Sequence, residues 1–228
     1  MIDDFRYEVK FHLDEKKYSF VQNWLYVKTP FVRSFPNRTV NSLYFDDVNY
    51  SSVKDNLSGV AHRSKYRLRW YDSVLTNPDH VIFEEKMRNG RVGKKKHIRL
   101  PDLGRDLSHA NIHHTTQAIN RSISNSQDQF TFDYLFPTLL LSYDREYFAD
   151  NNSIRITVDK NLQFSAPLAE KTISQHQKIR ATSGVLEVKF NTSSKDWAHS
   201  YISQLNLTPV RNSKYLAGLA LLKIANYL

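Results

Sequence analysis

The chain has 228 residues, 40% of them hydrophobic and 13% aromatic, enough to bury a sizeable core, so a single domain over residues 1–228 is expected. Lys plus Arg number 32 against 23 Asp plus Glu, a formal charge of +9, and this excess favours a polyanion or an acidic surface as partner. The absence of cysteine excludes disulfide frameworks and thiolate metal sites. With no signal-peptide pattern and no run near the roughly 18 apolar residues of a membrane span, a cytoplasmic protein is the simplest expectation, which leaves a membrane partner open.

Taken in chain order, the first segment is a strand over Phe5 to Leu13, with Phe5, Tyr7, Val9 and Phe11 on one face and Arg6, Glu8, Lys10 and His12 on the other. Asp14 then stands as N-cap of a helix over Glu15 to Val27, with Tyr18, Val21 and Leu25 inward. A shorter helix is expected over Asn49 to Leu57. The strand Ser64 to Tyr71 carries Lys65, Arg67 and Arg69 in phase, opposite Tyr66, Leu68 and Trp70, so three cations project side by side.

Val81 to Arg88 aligns Glu84, Lys86 and Arg88 on one face. Asn89-Gly90 reads as a hairpin turn with a basic rim of Arg88, Arg91, Lys94, Lys95 and Lys96, either simply solvated or guiding a polyanion. Lys95, His97 and Arg99 form another basic face. Asp102 to Asp128 is polar and carries one weak helix between loops; its His109, His113 and His114 have helical spacing but no carboxylate nearby to complete a metal site.

Two further strands, Leu139 to Phe148 with Arg145 and Ser153 to Lys160 with Arg155, Thr157 and Asp159 in phase, precede Val185 to Phe190, which sets Glu187 and Lys189 against Leu186, Val188 and Phe190. Two amphipathic helices follow: Lys195 to Leu205 with Trp197, Tyr201 and Leu205 inward, and Ser213 to Leu228 with Leu216, Leu219 and Leu222 inward. Many strands with few helices and no βαβ rhythm indicate an antiparallel α+β fold, in which barrel closure would remove edge strands.

A charged strand face in an antiparallel sheet ordinarily faces water. Several strands here share one, and the charges are mostly Arg and Lys with a few Glu, where a solvated face mixes signs more evenly. If the faces line a barrel interior, low-dielectric walls focus a positive field that demands an anion; phosphates suit it, because Arg meets them bidentately and Lys as a point charge. Aromatics beside the cations also invite comparison with single-strand nucleic-acid binders, but Tyr66 and Trp70 alternate away from Lys65, Arg67 and Arg69, so no nucleic acid is expected.

Seven motifs then occur in order: Arg-Tyr-Glu-Val-Lys-Phe at Arg6 to Phe11, Ser-Leu-Tyr-Phe-Asp-Asp at Ser42 to Asp47, Lys-Tyr-Arg-Leu-Arg-Trp-Tyr at Lys65 to Tyr71, Phe-Glu-Glu-Lys at Phe83 to Lys86, Tyr-Asp-Arg-Glu-Tyr-Phe at Tyr143 to Phe148, Val-Leu-Glu-Val-Lys-Phe at Val185 to Phe190, and Ser-Lys-Tyr at Ser213 to Tyr215. Together they resemble the VTC domain, the polyphosphate polymerase domain of the vacuolar transporter chaperone complex, within the CYTH or triphosphate tunnel metalloenzyme superfamily. The resemblance implies an eight-stranded antiparallel β-barrel tunnel with flanking helices. In it a nucleoside triphosphate such as ATP donates its terminal phosphate to a growing inorganic polyphosphate chain, with a divalent metal, Mn2+ or Mg2+, assisting.

Carried over residue by residue, the resemblance implies Lys10, Arg67, Arg69, Lys86, Arg145 and Lys214 as catalytic phosphate ligands, with Glu187 the main metal ligand. Ser213 adds a hydroxyl, and Lys65, Arg155 and Lys189 are expected on the same tunnel-facing strand faces. Glu8, Glu84 and Asp159 are expected to orient neighbouring bases or hold metal-bound water. The superfamily's Glu-x-Glu-x-Lys strand departs here at its first position, Arg6, which implies weaker metal loading and a better fit to long polyanions. Residues 103–129 match no motif. A tripolyphosphatase or nucleoside triphosphatase, or a non-catalytic polyphosphate-binding module, would need the same anion-holding residues.

Overall fold

The computed structural model describes residues 6–72, 81–90, 92–99, 111–124 and 134–224. Phe5, Arg91, His109 and much of the 103–129 stretch therefore lie outside the described residues. The alternating segments form strands: β1 (Arg6–Leu13), β2 (Val32–Asp46), β3 (His62–Tyr71), β4 (Ile82–Asn89), β5 (Val92–Arg99), β6 (Phe136–Ala149), β7 (Arg155–Ser165), β8 (Ile179–Arg180) and β9 (Gly184–Asn191). Their hydrogen-bonded order is β1-β9-β7-β6-β2-β3-β4-β5, with the two-residue β8 pairing β7. The pairings β1–β9, β7–β9, β2–β3, β3–β4 and β4–β5 are antiparallel. This is the antiparallel α+β sheet with flanking helices that the sequence pattern predicts.

The residues fall into two compact units. The first comprises Met1–Arg38, Tyr143–Leu162 and Arg180–Ser213; the second comprises Thr39–Ser142, Gln163–Ile179 and Lys214–Leu228. In the first unit, helix α1 (Glu15–Val27) begins where Asp14 accepts a hydrogen bond from the Lys17 amide at 2.9 Å, satisfying one of the helix's orphan donors. Its apolar stripe, Val21, Trp24 and Leu25, packs with Phe11, Leu13, Phe148, Ile156, Leu186 and Val188 into one core. Burying each of these side chains stabilises by about 1.5–3 kcal/mol. Period two then fixes the opposite face of β1, β7 and β9 as the charged one.

Helix α4 (Lys195–Ser203) corrects one expectation. Trp197 is 56% exposed, and the inward line runs instead through buried Ala198 with half-buried Tyr201 and Ile202; Leu205 is buried beyond the helix end. A search for large apolar residues passes over a buried alanine.

In the second unit, Leu43, Phe45, Tyr66, Leu68, Trp70 and Phe83 pack against Ile112, Ile119 and Ile123 of α3 (Ile112–Ser124), so the weak helix expected in the polar stretch covers the apolar face of β2, β3 and β4. Strand β2 extends well beyond its quoted motif. Positions 42–46 are buried on both faces, which erases the alternation that period-two reading requires. β4 and β5 close the expected hairpin, with Asn89 opposite Val92 and Gly90 at φ +59°, the left-handed region that a two-residue connection demands. The shorter helix α2 (Ser51–Ser58) starts two residues later than expected. Among the described residues no helix is long and apolar enough to cross a membrane.

Helix α5 (Lys214–Leu221) lies against Phe164 and Leu139 through Gly218, where an added Cβ would meet Phe164 Cδ1 at 2.5 Å and Leu139 Cδ2 at 2.6 Å. The close approach seats the helix that begins with Lys214. Gly218→Ala is expected to lower the unfolding free energy by about 1–3 kcal/mol through overpacking, read as a lower urea midpoint at unchanged slope. An unchanged midpoint would show that this contact yields freely.

Candidate functional site

Cross-strand register, more than sequence proximity, assembles the candidate residues. In the second unit, Tyr44 stands opposite Arg67, Arg67 opposite Glu84, and Glu84 opposite His97, making one row across β2, β3, β4 and β5. The adjacent row sets Lys65 opposite Lys86 and Lys86 opposite Lys95. On the other side of Arg67, Arg69 stands opposite Ser42. Side chains directly across an antiparallel pair are roughly 5 Å apart at Cβ, so like charges there repel.

Glu84 is the carboxylate at the centre of this basic face. Arg67 grips its Oε2 through Nε at 2.6 Å and Nη2 at 2.5 Å. Arg69 Nη1 approaches the same oxygen at 3.9 Å, while Lys95 Nζ at 3.9 Å and His97 Nε2 at 3.5 Å face Oε1. Burial raises the Glu84 pKa, but the charges of Arg67, Arg69 and Lys95, with the Arg67 hydrogen bond, outweigh it and hold the carboxyl at about 2.

Arg67 also donates from Nη1 to the Tyr44 hydroxyl at 3.2 Å. Burial pushes the Tyr44 phenol up, but Arg67, Arg69 and Lys214 pull it below its usual value, so Lys214 acts within the same positive field. Tyr44 stacks on Tyr215 at 4.9 Å. The Tyr215 hydroxyl, itself 3.0 Å from Thr138 Oγ1, donates to Asp46 at 3.1 Å. Asp46 in turn accepts from the Ser52 and Val53 amides at the start of α2. Tyr44 and Asp46 belong to the Ser42 to Asp47 motif, yet their roles are not legible in sequence, because both depend on partners far along the chain.

In the first unit, register sets Lys10 opposite Glu187 and Glu8 opposite Lys189, with Thr157 opposite Glu187 and Arg155 opposite Lys189 on the other flank of β9. Lys10 Nζ lies 2.6 Å from Glu8 Oε1 and 3.8 Å from Glu187 Oε2, and donates to the Asn212 carbonyl at 3.1 Å. Lys189 pairs with the other oxygen of Glu187. Arg145 is bidentate to Asp159, Nε to Oδ1 at 2.6 Å and Nη2 to Oδ2 at 2.8 Å. Burial opposes its charge, but Tyr143, Asp159 and Glu187 raise its pKa well above the ordinary value.

The sequence-predicted residues thus divide between the two units. The first holds Glu8, Lys10, Arg145, Asp159, Glu187 and Lys189 in one network, with the exposed Arg155 in register beside Lys189 and Ser213 ending the unit. The second holds Lys65, Arg67, Arg69, Glu84, Lys86 and Lys214. Of the carboxylates expected to orient bases or hold metal-bound water, Glu84 pairs with Arg67, Asp159 with Arg145 and Glu8 with Lys10. No cluster of three or more His, Cys, Asp or Glu occurs among the described residues, so a divalent cation has no all-protein cage here. Glu8 and Glu187, converging on Lys10, with the buried Thr157 Oγ1 that no hydrogen bond satisfies, fit a cation held through one or two carboxylates plus phosphate oxygens.

Loss of the Glu84 charge has a signed consequence. Its folded-state pKa lies below the ordinary 4.5, so its contribution to stability is complete above about pH 4.5 and is lost as pH falls toward about 2. Glu84→Gln is expected to be less stable than the parent near neutrality and to lose less stability across that acid window, measured by urea titration at a series of pH values. Identical acid limbs for the two proteins would contradict the pairing.

Residues 5–223 match the family model described as VTC domain. Three solved structures share the fold: a protein from Pyrococcus horikoshii OT3 (11% identity, TM-score 0.51, covering 96% of this chain and 97% of that one); HpAC1 from Hippeastrum, reported to have a dominant triphosphatase activity (12%, 0.52, 94% and 96%); and a Vibrio parahaemolyticus protein assigned as an adenylate cyclase (10%, 0.52, 95% and 98%). At these identities the likeness is one of fold.

Proposed function

The chain belongs to the VTC domain family, and from that premise we propose that it is a metal-dependent polyphosphate polymerase, moving the terminal phosphate of ATP onto a growing inorganic polyphosphate chain. The observation that carries this reading is the cross-strand row Lys65, Lys86 and Lys95 beside Arg67 and Arg69, with Glu84 as the carboxylate on that face. Like charges set directly across neighbouring strands repel, and an extended anion laid along the row would offset that repulsion. A phosphate chain carries its negative charge at regular short intervals and matches a row of cations better than any single compact anion.

In the proposed reaction, a terminal oxygen of the acceptor chain attacks the γ-phosphorus of ATP. The bond to the β–γ bridging oxygen breaks, its electron pair leaves with ADP, and the acceptor grows by one phosphate. Phosphoryl transfer of this kind asks mainly for positioning and charge neutralisation. Arg67 and Arg145 are suited to it because Glu84 and Asp159 fix their forks; Lys10, Lys65, Lys86, Arg69 and Lys214 supply point charges and hydrogen bonds, with Arg155, Lys189 and the Ser213 hydroxyl as further phosphate contacts. A divalent cation, Mn2+ or Mg2+, bound by Glu187 with Glu8 would neutralise charge on the phosphate oxygens. Lys10 and Lys189, which pair with those carboxylates, would contact phosphate oxygens beside it.

Incubation of the purified protein with ATP and Mn2+, followed by phosphorus NMR and gel electrophoresis, is expected to yield chains longer than three phosphates. Free phosphate without chain growth would replace the polymerase with a phosphohydrolase, and binding without turnover would leave a polyphosphate-binding module. Arg67→Ala and Glu187→Ala are each expected to cut turnover roughly a hundredfold or more while circular dichroism stays unchanged. A folded variant working at the parent rate would remove that residue from the site.

A further inference from the structure

On β6, Tyr143, Arg145 and Tyr147 share one face, while Glu146 and Phe148 turn the other way: Glu146 accepts hydrogen bonds from Tyr18 and Gln22 of α1, and Phe148 enters the core. The Tyr143, Arg145 and Tyr147 face therefore does not serve the packing of α1. Arg145 lies over the Tyr143 ring at 5.2 Å and 5.9 Å from the Tyr147 centroid. Tyr147 is shared, because Arg38 lies over it at 5.2 Å and over Phe35 at 5.7 Å. Phe35 and Tyr147 meet edge to face at 5.8 Å. The outermost ring, Phe35, is 56% exposed, within a β2 stretch in which residues 32–37 are all exposed.

From this ladder we infer that Phe35 and Arg38 form a stacking subsite for the base of a nucleoside triphosphate whose phosphates reach Arg145, an inference that rests on the phosphate-binding role proposed for Arg145. A scattered exposed apolar residue needs no explanation. Here an exposed aromatic ring is flanked by a guanidinium plane and stands one aromatic step from a rigidly held arginine. Base and guanidinium or phenyl faces stack whatever the base, because every base presents a π-face. Stacking of this kind reads the π-face of a base, so the subsite favours nucleotides over base-free phosphates.

The discriminating measurement is calorimetric binding, in metal-free buffer where the metal-dependent transfer does not run, of ATP and of tripolyphosphate to the parent, Phe35→Ala and Phe35→Trp proteins. Phe35→Ala is expected to weaken ATP binding roughly tenfold and leave tripolyphosphate binding unchanged, with Phe35→Trp retaining parental ATP affinity. Equal effects on both ligands, or none on ATP, would overturn the subsite while leaving the phosphate site intact. If the parent protein bound neither ligand, the phosphate-binding reading would fall and the subsite with it.

Discussion

Cations set directly across neighbouring strands repel one another, and the arrangement of both units turns on how that repulsion is contained. Roughly 5 Å separates opposite Cβ atoms, and low-dielectric walls strengthen whatever field the charges make. Each unit inserts buried carboxylates among the bases: Glu84 in the second, Asp159 and Glu187 in the first. Glu84 alone draws in Arg67, Arg69 and Lys95. The sheet sustains these charged faces because the opposite faces of the same strands bury large apolar side chains.

That second requirement explains the placement of the helices. α1 covers the apolar face of the first unit and α3 that of the second, so in each unit helix packing leaves the charged face uncommitted to the core. The polar supports are long-range. Tyr215 from α5 links Asp46, Thr138 and, by stacking, Tyr44, which joins the helix carrying Lys214 to the strand neighbouring Arg67. Burial and the nearby Asp46 carboxylate both push the Tyr215 phenol upward, keeping it a neutral donor. Likewise Glu146 gathers Tyr18, Gln22 and Lys160, locking α1 against β6 and β7.

Period-two alternation made the charged faces legible: Lys65, Arg67 and Arg69 could be placed together from Ser64 to Tyr71 alone, and the ordered motifs supplied the family. Asp14 announced the start of α1 because capping is local. Other features are decided at a distance. The length of β2 was hidden because its buried half lacks alternation and its exposed half lacks a hydrophobic face. Trp197 was misread because the inward line of α4 passes through the small Ala198, which a search for large apolar residues passes over. The Tyr44–Arg67–Glu84–His97 row depends on register between four strands, which no single strand encodes.

The carboxylates also differ in what holds them. Asp159 is held by two parallel hydrogen bonds from the Arg145 fork, and Glu84 by two Arg67 nitrogens converging on its one oxygen Oε2. Glu8 and Glu187 instead meet ammonium groups, and Lys10 is divided among Glu8, Glu187 and the Asn212 carbonyl. An ammonium on a flexible stem has no fixed fork to break and swings to a new oxygen at little cost. The arginine pairs are therefore the fixed frame and the lysine pairs the exchangeable part; in the proposed polymerase it is Lys10 and Lys189 that would turn from carboxylate to phosphate. This division ties the two kinds of basic residue to two different tasks, holding geometry and taking up charge.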